Sequence, residues 1–489
     1  MMRFSYAKIL GLLWFALVVF ALFFGLGKPF FQIWDEGRIL INTFEMAQSG
    51  QWMATTFEGK PEFWNTKPLL LHWLQWASAF LFGWNEWGLR LPSAASALGV
   101  VLLILGISKG ILGSYRYGFA AGLVLMVLPG YVGFHASRTA DYDALLSLGT
   151  TGAFLSLWLA AERDSRYLLL TWFFLTLAVL TKGIAGLLIA PGLACIALLR
   201  YRAIPWLQTR WFWLGFVFFV FVVLAYYLGR DSLQPGYLEA VWNNELGGRF
   251  AQINEGHNHP WYYYLGVLVR HAGFGGGFLL LFGVALAVKA GSDRVRLAAR
   301  DALIAALFLG VVLSSSQSKL DWYLVPMHPL LALAAGLGWA DWLGDVRVLG
   351  YPKRIMVLVL ALLFSATYSL EIMGRTNRPT SPEWRAKYAC SEVLSQALRG
   401  QGEPPTAVLY TPYDAHVRIY VKLLQRKGHR IRLLKSSEVH HRDRVLCSEP
   451  EVRASLRQKF AVDSVVHPLG AVTYTILPPL NPLNFDENP

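Results

Sequence analysis

Long apolar runs recur along this 489-residue chain, and they constrain its fold more than any other feature. A helix that crosses a bilayer needs roughly 20 mostly apolar residues. Eleven stretches meet or approach that length: 8–27, 88–108, 117–136, 142–161, 167–181, 183–199, 211–229, 272–289, 300–316, 322–340 and 354–372. The composition agrees, with 55% hydrophobic and 15% charged residues, against about 25% charged in a soluble domain. The 19 Trp suit helix ends anchored at interfaces. The first run, Ile9–Leu26, is too long for a signal-peptide core and has no small-residue cleavage site after it. It is expected to be a retained span.

The net charge of +13 raises the question of nucleic acid, and its distribution answers it. Cytoplasmic loops collect Lys and Arg. With Arg3 and Lys8 inside, every second connection is basic: Lys109 and Arg116; Arg163 and Arg166; Arg200, Arg202 and Arg210; Lys289 to Arg300; Arg347 to Arg354. The charge is therefore mostly topogenic, and no nucleic-acid partner is implied. The N-terminus is expected in the cytoplasm, and an odd number of spans puts the C-terminus outside.

Leu69–Phe82 breaks the alternation if it crosses. At about 14 residues it is short for a span, so it reads as a juxtamembrane helix within a large first outer loop, 28–87. Trp261–His271 reads as a second surface-lying helix, because Arg270 and His271 are costly in lipid. After about residue 375 the apolar runs become short, at Ala407–Tyr410, Ile431–Leu434, Arg444–Cys447 and Val472–Leu477, with helical patterns at Val417–Arg426 and Glu451–Lys459. The expected fold is an all-α polytopic membrane protein of about eleven transmembrane helices plus juxtamembrane helices over 1–374, with a small C-terminal α/β extracytoplasmic domain over 375–489. Of the three cysteines, Cys390 and Cys447 fall in that exported domain, where thiols pair readily. Bridged and separate thiols both fit their spacing.

The outer loops carry the ionisable residues that topology does not explain. They are Asp35 and Glu36, Lys67, Arg138 with Asp141, Lys182, Glu245 with Arg249, and Lys319 followed by Tyr323. Singly, each has a bland reading as a solvated loop charge, an interface anchor or a local ion pair. Together they place cations on the face where topology does not put them. Leu168–Leu180 rises only about 20 Å against a hydrocarbon core of about 30 Å, so Lys182 belongs below the outer surface and needs an anion. Cations at headgroup depth suit a lipid phosphate, and Asp35 and Glu36 supply facing carboxylates. Glycosyl transfer from a phospholipid donor needs that pairing: a base for the acceptor proton and cations for the leaving phosphate.

Seven segments in order carry a resemblance: Ile33-Trp34-Asp35-Glu36-Gly37-Arg38, Thr66-Lys67-Pro68-Leu69, Gly88-Leu89-Arg90-Leu91-Pro92-Ser93, Ala136-Ser137-Arg138-Thr139-Ala140-Asp141, Leu180-Thr181-Lys182-Gly183, Glu245-Leu246-Gly247-Gly248-Arg249-Phe250 and Lys319-Leu320-Asp321-Trp322-Tyr323-Leu324-Val325-Pro326. Over roughly 1–330 the chain resembles the membrane glycosyltransferases of the GT-C class, in the protein O-mannosyltransferase and lipid A aminoarabinose transferase superfamily. The resemblance implies Asp35 as the catalytic acidic residue, and Lys67, Arg138, Lys319 and Tyr323 as contacts to the carrier phosphate. It implies an undecaprenyl-phosphate sugar donor, inversion at the anomeric carbon and an extracytoplasmic C-terminal domain, hence a multi-pass protein of the bacterial inner membrane. Lys182 joins the phosphate-binding set, and Asp141, Glu245 and Arg249 are expected to bind substrate. The acceptor is a glycolipid such as lipid A, another glycan or a protein. Thr66 and Leu246 stand where aminoarabinose transferases often carry Glu and His, so neither metal nor other cofactor is expected. A transporter, the rival class, places its polar site near the midplane between repeated halves, whereas these charges gather at one face and the chain shows no repeat.

Overall fold

The computed structural model describes residues 6–201, 204–250, 258–344, 351–376, 382–434 and 439–477. Helices account for most of them. Helix α1 (Tyr6–Phe23) leads into a loop layer holding α2 (Asp35–Ser49), a two-stranded ribbon of β1 (Thr56–Phe57) and β2 (Lys60–Pro61), and α3 (Leu70–Phe82). The bundle continues with α4 (Glu86–Leu112), α5 (Arg116–Met126), α6 (Pro129–Val132), α7 (Asp143–Glu162), α8 (Leu168–Lys182) and α9 (Ala190–Tyr201). It closes with α10 (Arg210–Leu233), α11 (Tyr237–Val241), α12 (Tyr263–Val288), α13 (Asp293–Ser315), α14 (His328–Gly344) and α15 (Tyr351–Thr376).

Among the described residues eight helical runs are long and apolar enough to cross a membrane, and three shorter apolar helices, Lys8–Phe23, Arg116–Met126 and Ala190–Leu199, stand where the other expected spans were read. Two of the three are short for local reasons. The run expected over 117–136 stops at Met126, just ahead of Pro129, because proline disfavours helical backbone before it. The run expected over 183–199 is broken at its start, where Gly183 adopts φ 59° and a 3-10 turn precedes α9. Leu70–Phe82 is a helix of 13 residues, in line with a juxtamembrane element. The helix expected over Trp261–His271 begins at Tyr263 but does not end at His271: it continues to Val288 across a break at Gly273, with φ 62° and ψ 177°.

The C-terminal region holds α16 (Pro382–Leu398), α17 (Ala415–Arg426) and α18 (Pro450–Lys459), with strands β3 (Ala407–Leu409), β4 (Arg432–Leu434), β5 (Arg444–Cys447), β6 (Val462–Val466) and β7 (Val472–Ile476). The sheet order is β4-β3-β5-β7-β6, parallel across β4-β3-β5 and antiparallel thereafter. Strand β6 was not expected; it is an exposed edge whose apolar residues do not alternate. Side chains alternate across the sheet. Val408 and Leu446 face α16 and α17, whereas Leu409, Val445 and Cys447 face Leu456 of α18. Cys390 and Cys447 therefore lie in separate clusters, both as free thiols. Burial pushes each up to about 12, so they stay protonated.

The α16–α17 face buries more than its own domain. Its cluster runs on into Phe31, Leu40, Ile41 and Phe44 of the first loop and α2, and into Leu89 of α4. Polar contacts follow the same seam. Tyr420 Oη accepts from Phe31 N at 2.9 Å and donates to Glu86 Oε1 at 3.0 Å. Tyr388 Oη accepts from Ile33 N at 3.2 Å, and Lys422 pairs with Glu45 at 2.9 Å. The segment leading to Asp35 is thus held from behind by the C-terminal domain.

Candidate active site

Asp35 and Glu36 open α2, where the partial positive charge of a helix N-terminus favours carboxylates. Successive helical residues point about 100° apart, and here the two go to different fates. Glu36 is buried and fully engaged. It receives Arg90 Nε at 2.6 Å and Nη2 at 2.8 Å, Ala140 N at 2.8 Å and Gln32 N at 2.7 Å. Arg90 also donates to the carbonyls of Leu26, Pro29 and Phe30 at 3.1, 2.7 and 2.9 Å. Expected beside Asp35 as a second catalytic carboxylate, Glu36 instead spends its oxygens pinning the first loop to α4 and to the segment before α7.

Asp35 lines a small polar cavity with Asn65, Lys67, His135, Asp141, Asp143, Lys182 and Tyr323. Four of these residues pair with one another. Lys182 Nζ meets Asp143 Oδ1 at 2.5 Å and lies 5.2 Å from the Tyr323 ring centre. His135 Nδ1 lies 3.5 Å from Asp141 Oδ2, which also accepts from Thr139 Oγ1 at 2.5 Å. Burial works to raise the Asp141 carboxyl, but His135 and Thr139 hold it below the usual carboxylate range. Asp35 has no hydrogen bond or ion pair to its carboxylate among the described residues.

A second cavity, of about 310 Å³, adjoins the first and shares Lys67, Asp143, Lys182 and Tyr323 with it. Its other walls are mostly apolar: Leu146, Ile184, Leu188, Leu309, Val312 and Leu313. Lys67 pairs there with Glu245, which also accepts from Thr66 Oγ1 at 3.0 Å. A greasy groove that ends on two lysines and a tyrosine matches a molecule with an apolar tail and an anionic head.

A third cavity has a volume of about 490 Å³. His259, Tyr263, His271, Lys319 and Asp321 line it. Only His135 and Trp322 belong to both this chamber and the Asp35 cavity, and their rings stack at 3.8 Å and 11°. Lys319 Nζ donates to Ser316 O at 2.5 Å. Expected with the other phosphate-binding cations, it faces a different chamber from Lys67 and Lys182.

Arg138 does not join the cluster either. It donates to Ala21 O at 3.0 Å and Phe24 O at 2.9 Å, closing the last turn of α1, and it lines none of the three cavities. The Arg249 side chain lies outside the described residues. Sequence reasoning passed over two residues that matter here. Arg230, near the C-terminal end of α10, holds the Lys67 carbonyl at 2.9 Å, Tyr226 Oη at 2.9 Å and Thr55 Oγ1 at 2.9 Å. An arginine at the end of an apolar run where the charge alternation expects none was the available signal. His135 follows an apolar run just ahead of a recognised motif, and nothing in its local pattern marks it.

The loop around Asp35 is braced by charge. Glu62 accepts from Arg38 at 2.7 and 3.0 Å and from Trp64 N at 2.7 Å. Burial works to raise the Glu62 carboxyl, but Arg38 and the two backbone donors hold it below the usual range. Arg38 also lies over the Phe57 and Trp64 rings at 4.4 and 4.7 Å. Behind it, burial pushes His72 down to about 3, so it is a neutral partner for Thr43 Oγ1 at 2.7 Å and Tyr142 Oη at 3.1 Å.

Known proteins share both sequence and architecture with this chain. Residues 66–227 match the family described as dolichyl-phosphate-mannose-protein mannosyltransferase. An undecaprenyl phosphate-alpha-4-amino-4-deoxy-L-arabinose arabinosyl transferase of Pseudomonas fluorescens is 29% identical over 392 residues, 78% of this chain and 64% of the relative. The enzyme of that name from Shewanella sediminis is 28% identical over 69% of this chain and 62% of its own. The chain thus spans less than two thirds of these relatives. The crystal structure of ArnT from Cupriavidus metallidurans bound to undecaprenyl phosphate superposes with a TM-score of 0.70 at 18% identity, covering 96% of this chain and 98% of that one. An Archaeoglobus fulgidus oligosaccharyltransferase gives 0.52 at 12% identity, over 88% and 64%. These two structural likenesses establish a common fold.

Proposed function

We propose that the chain is an ArnT-like membrane glycosyltransferase of the GT-C class, as its likeness to the relatives above supports, and that it moves a sugar from an undecaprenyl-phosphate carrier to an extracytoplasmic acceptor, most simply lipid A or another glycolipid. One observation carries the reading. Asp35 is the carboxylate left without a partner among the described residues, in a cavity whose other aspartates are paired, and that cavity opens on an apolar groove ending in Lys67, Lys182 and Tyr323.

The geometry supports one inverting displacement. The polyprenyl tail lies in the groove, with its phosphate between Lys67 and Lys182. Asp35 takes the proton of the acceptor hydroxyl as its oxygen bonds to the anomeric carbon, and the bond from that carbon to the phosphate oxygen breaks. Charge grows on the leaving phosphate, where the lysines act most strongly. When the phosphate arrives, Glu245 and Asp143 are the anions it displaces from the lysines. Asp141 and Arg249 are assigned to substrate. The N-terminus is assigned to the cytoplasm of a bacterial cell and the C-terminal domain to the periplasm, so that the site faces the exported acceptor.

The test is transfer in liposomes. Purified protein is given undecaprenyl-phosphate-linked 4-amino-4-deoxy-arabinose and lipid A, and lipid A is read by mass. A protein acceptor is the second reading, favoured by the description of the family that matches 66–227; the same assay with exported protein separates the two. Consumption of the carrier sugar by no acceptor would sink the assignment.

A further inference from the structure

Four non-glycine residues among those described have positive φ, and two stand at this site: Trp34, just before Asp35, and His135, at φ 60°, in the wall of its cavity. Such backbone persists only where the surroundings over-determine it. His135 is held by Trp322, stacked at 3.8 Å, by Phe134, edge-on at 4.2 Å, and by Asp141. Its Nδ1 is turned to Asp141, and Nε2 has no partner among the described residues.

The order of the cavities gives this arrangement a direction. The apolar groove and the chamber of Lys319 have no lining residue in common, and each shares lining residues with the Asp35 cavity. An inverting displacement brings the nucleophile in opposite the leaving group. With the carrier in the groove, the acceptor arrives from the Lys319 chamber and passes His135. Resting on the transfer reading above, we infer that His135 is an acceptor-binding residue, presenting an Nε2 hydrogen-bond donor where that chamber meets Asp35.

The charges around the ring make the donor available. Asp35, Asp141 and Asp143 face it from one side, with Lys182 behind Asp143; Lys319, His259, His271 and Asp321 line the other side, where Arg270 pairs with Asp321. Burial opposes a charge on His135, but Asp141 first, then Asp35 and Asp143, raise it above the ordinary histidine range. With Nδ1–H committed to Asp141, deprotonation leaves Nε2 a bare acceptor. Acceptor binding is then full at low pH and lost as pH rises through this raised value.

The experiment uses full-length protein in liposomes, with undecaprenyl-phosphate-linked 4-amino-4-deoxy-arabinose as donor probe and lipid A as acceptor probe. His135→Asn is the main variant, because Asn tolerates positive φ; His135→Lys restores a cationic donor. His135→Asn is expected to raise the apparent KM for lipid A about 10- to 100-fold, the scale of a lost hydrogen bond from a charged donor. The KM for the carrier and the thermal midpoint stay unchanged, and the loss of acceptor affinity at high pH disappears. His135→Lys recovers part of the affinity and moves that loss to higher pH. Equal rises in both KM values, failure of both variants to fold, or a pH profile unchanged by the substitution would assign His135 to the fold and overturn the inference. A wild type that transfers, with both variants matching it, defeats the inference alone. A wild type that leaves carrier and lipid A untouched defeats the transfer reading and this inference with it.

Discussion

The cavity around Asp35 and the clamp around Glu36 are built from consecutive residues of one helical turn, yet they handle charge in opposite ways. In the clamp both oxygens of Glu36 and all five hydrogen bonds of Arg90 are spent within the buried seam, so no group is left to bind anything else. In the cavity, among the described residues, Asp141 and Asp143 are each met by one cation, and Asp35 by none. Full satisfaction holds a loop in place; incomplete satisfaction leaves a group available for chemistry. A buried charge without partners is costly, and Asp35 avoids that cost by being half-exposed at the cavity.

Substitutions at the two sites test that contrast directly. Asp35→Asn keeps shape and removes the base, so transfer should fall about 10²–10⁴-fold while thermal unfolding is unchanged; turnover close to wild type would erase the distinction between the neighbours. Glu36→Gln should do the reverse. It leaves the Arg90 guanidinium buried without its counter-charge, at a cost of about 3–5 kcal/mol, to be read as a lowered melting midpoint or lost expression. A stable but inactive Glu36→Gln would return Glu36 to the chemistry.

Two milder changes sharpen the boundary. Lys67→Ala and Lys182→Ala should each raise the KM for the lipid-linked sugar and lower kcat, because their contacts strengthen as the phosphate leaves. Arg at either position should rescue only partly, since its planar fork replaces a compact ammonium. Unchanged kinetics toward the carrier would detach the groove from the donor. The smallest expected effect comes from behind the clamp. A Cβ at Gly37 would lie 2.7 Å from His416 N and 3.0 Å from Ala415 C at the start of α17. Gly37→Ala should therefore loosen the C-terminal domain by about 1–3 kcal/mol, seen as faster proteolysis there, with activity falling less than in Asp35→Asn.

Much of this was legible from residue order alone. Hydropathy marked a helix at every expected span, because a crossing segment must satisfy its own backbone within about 20 residues. Short apolar runs marked four of the five C-terminal strands among the described residues. Strand β6 escaped because its edge position leaves four of its five residues exposed, so burial imposes no pattern on it.

Residues from five of the seven motifs also meet, since Asp35, Lys67, Asp141, Lys182 and Tyr323 line one cavity. Roles within that neighbourhood were another matter. Glu36 finds Arg90 54 residues away, Lys182 finds Asp143 39 away, and Lys67 finds Glu245 178 away. A side chain's charge is visible in the sequence, but its partner is chosen by packing between distant segments. Sequence therefore determined that the chain is a membrane bundle with a cluster of carboxylates and cations at the ends of its helices. Only the tertiary structure decided that Glu36 and Arg138 hold loops, that Lys319 lines a separate chamber, that His135 lines both that chamber and the Asp35 cavity, and that Asp35 is left unpaired among the described residues. The physical reason is range: burial of apolar surface is read residue by residue, whereas the state of a buried charge depends on the one group that folding brings within about 4 Å of it.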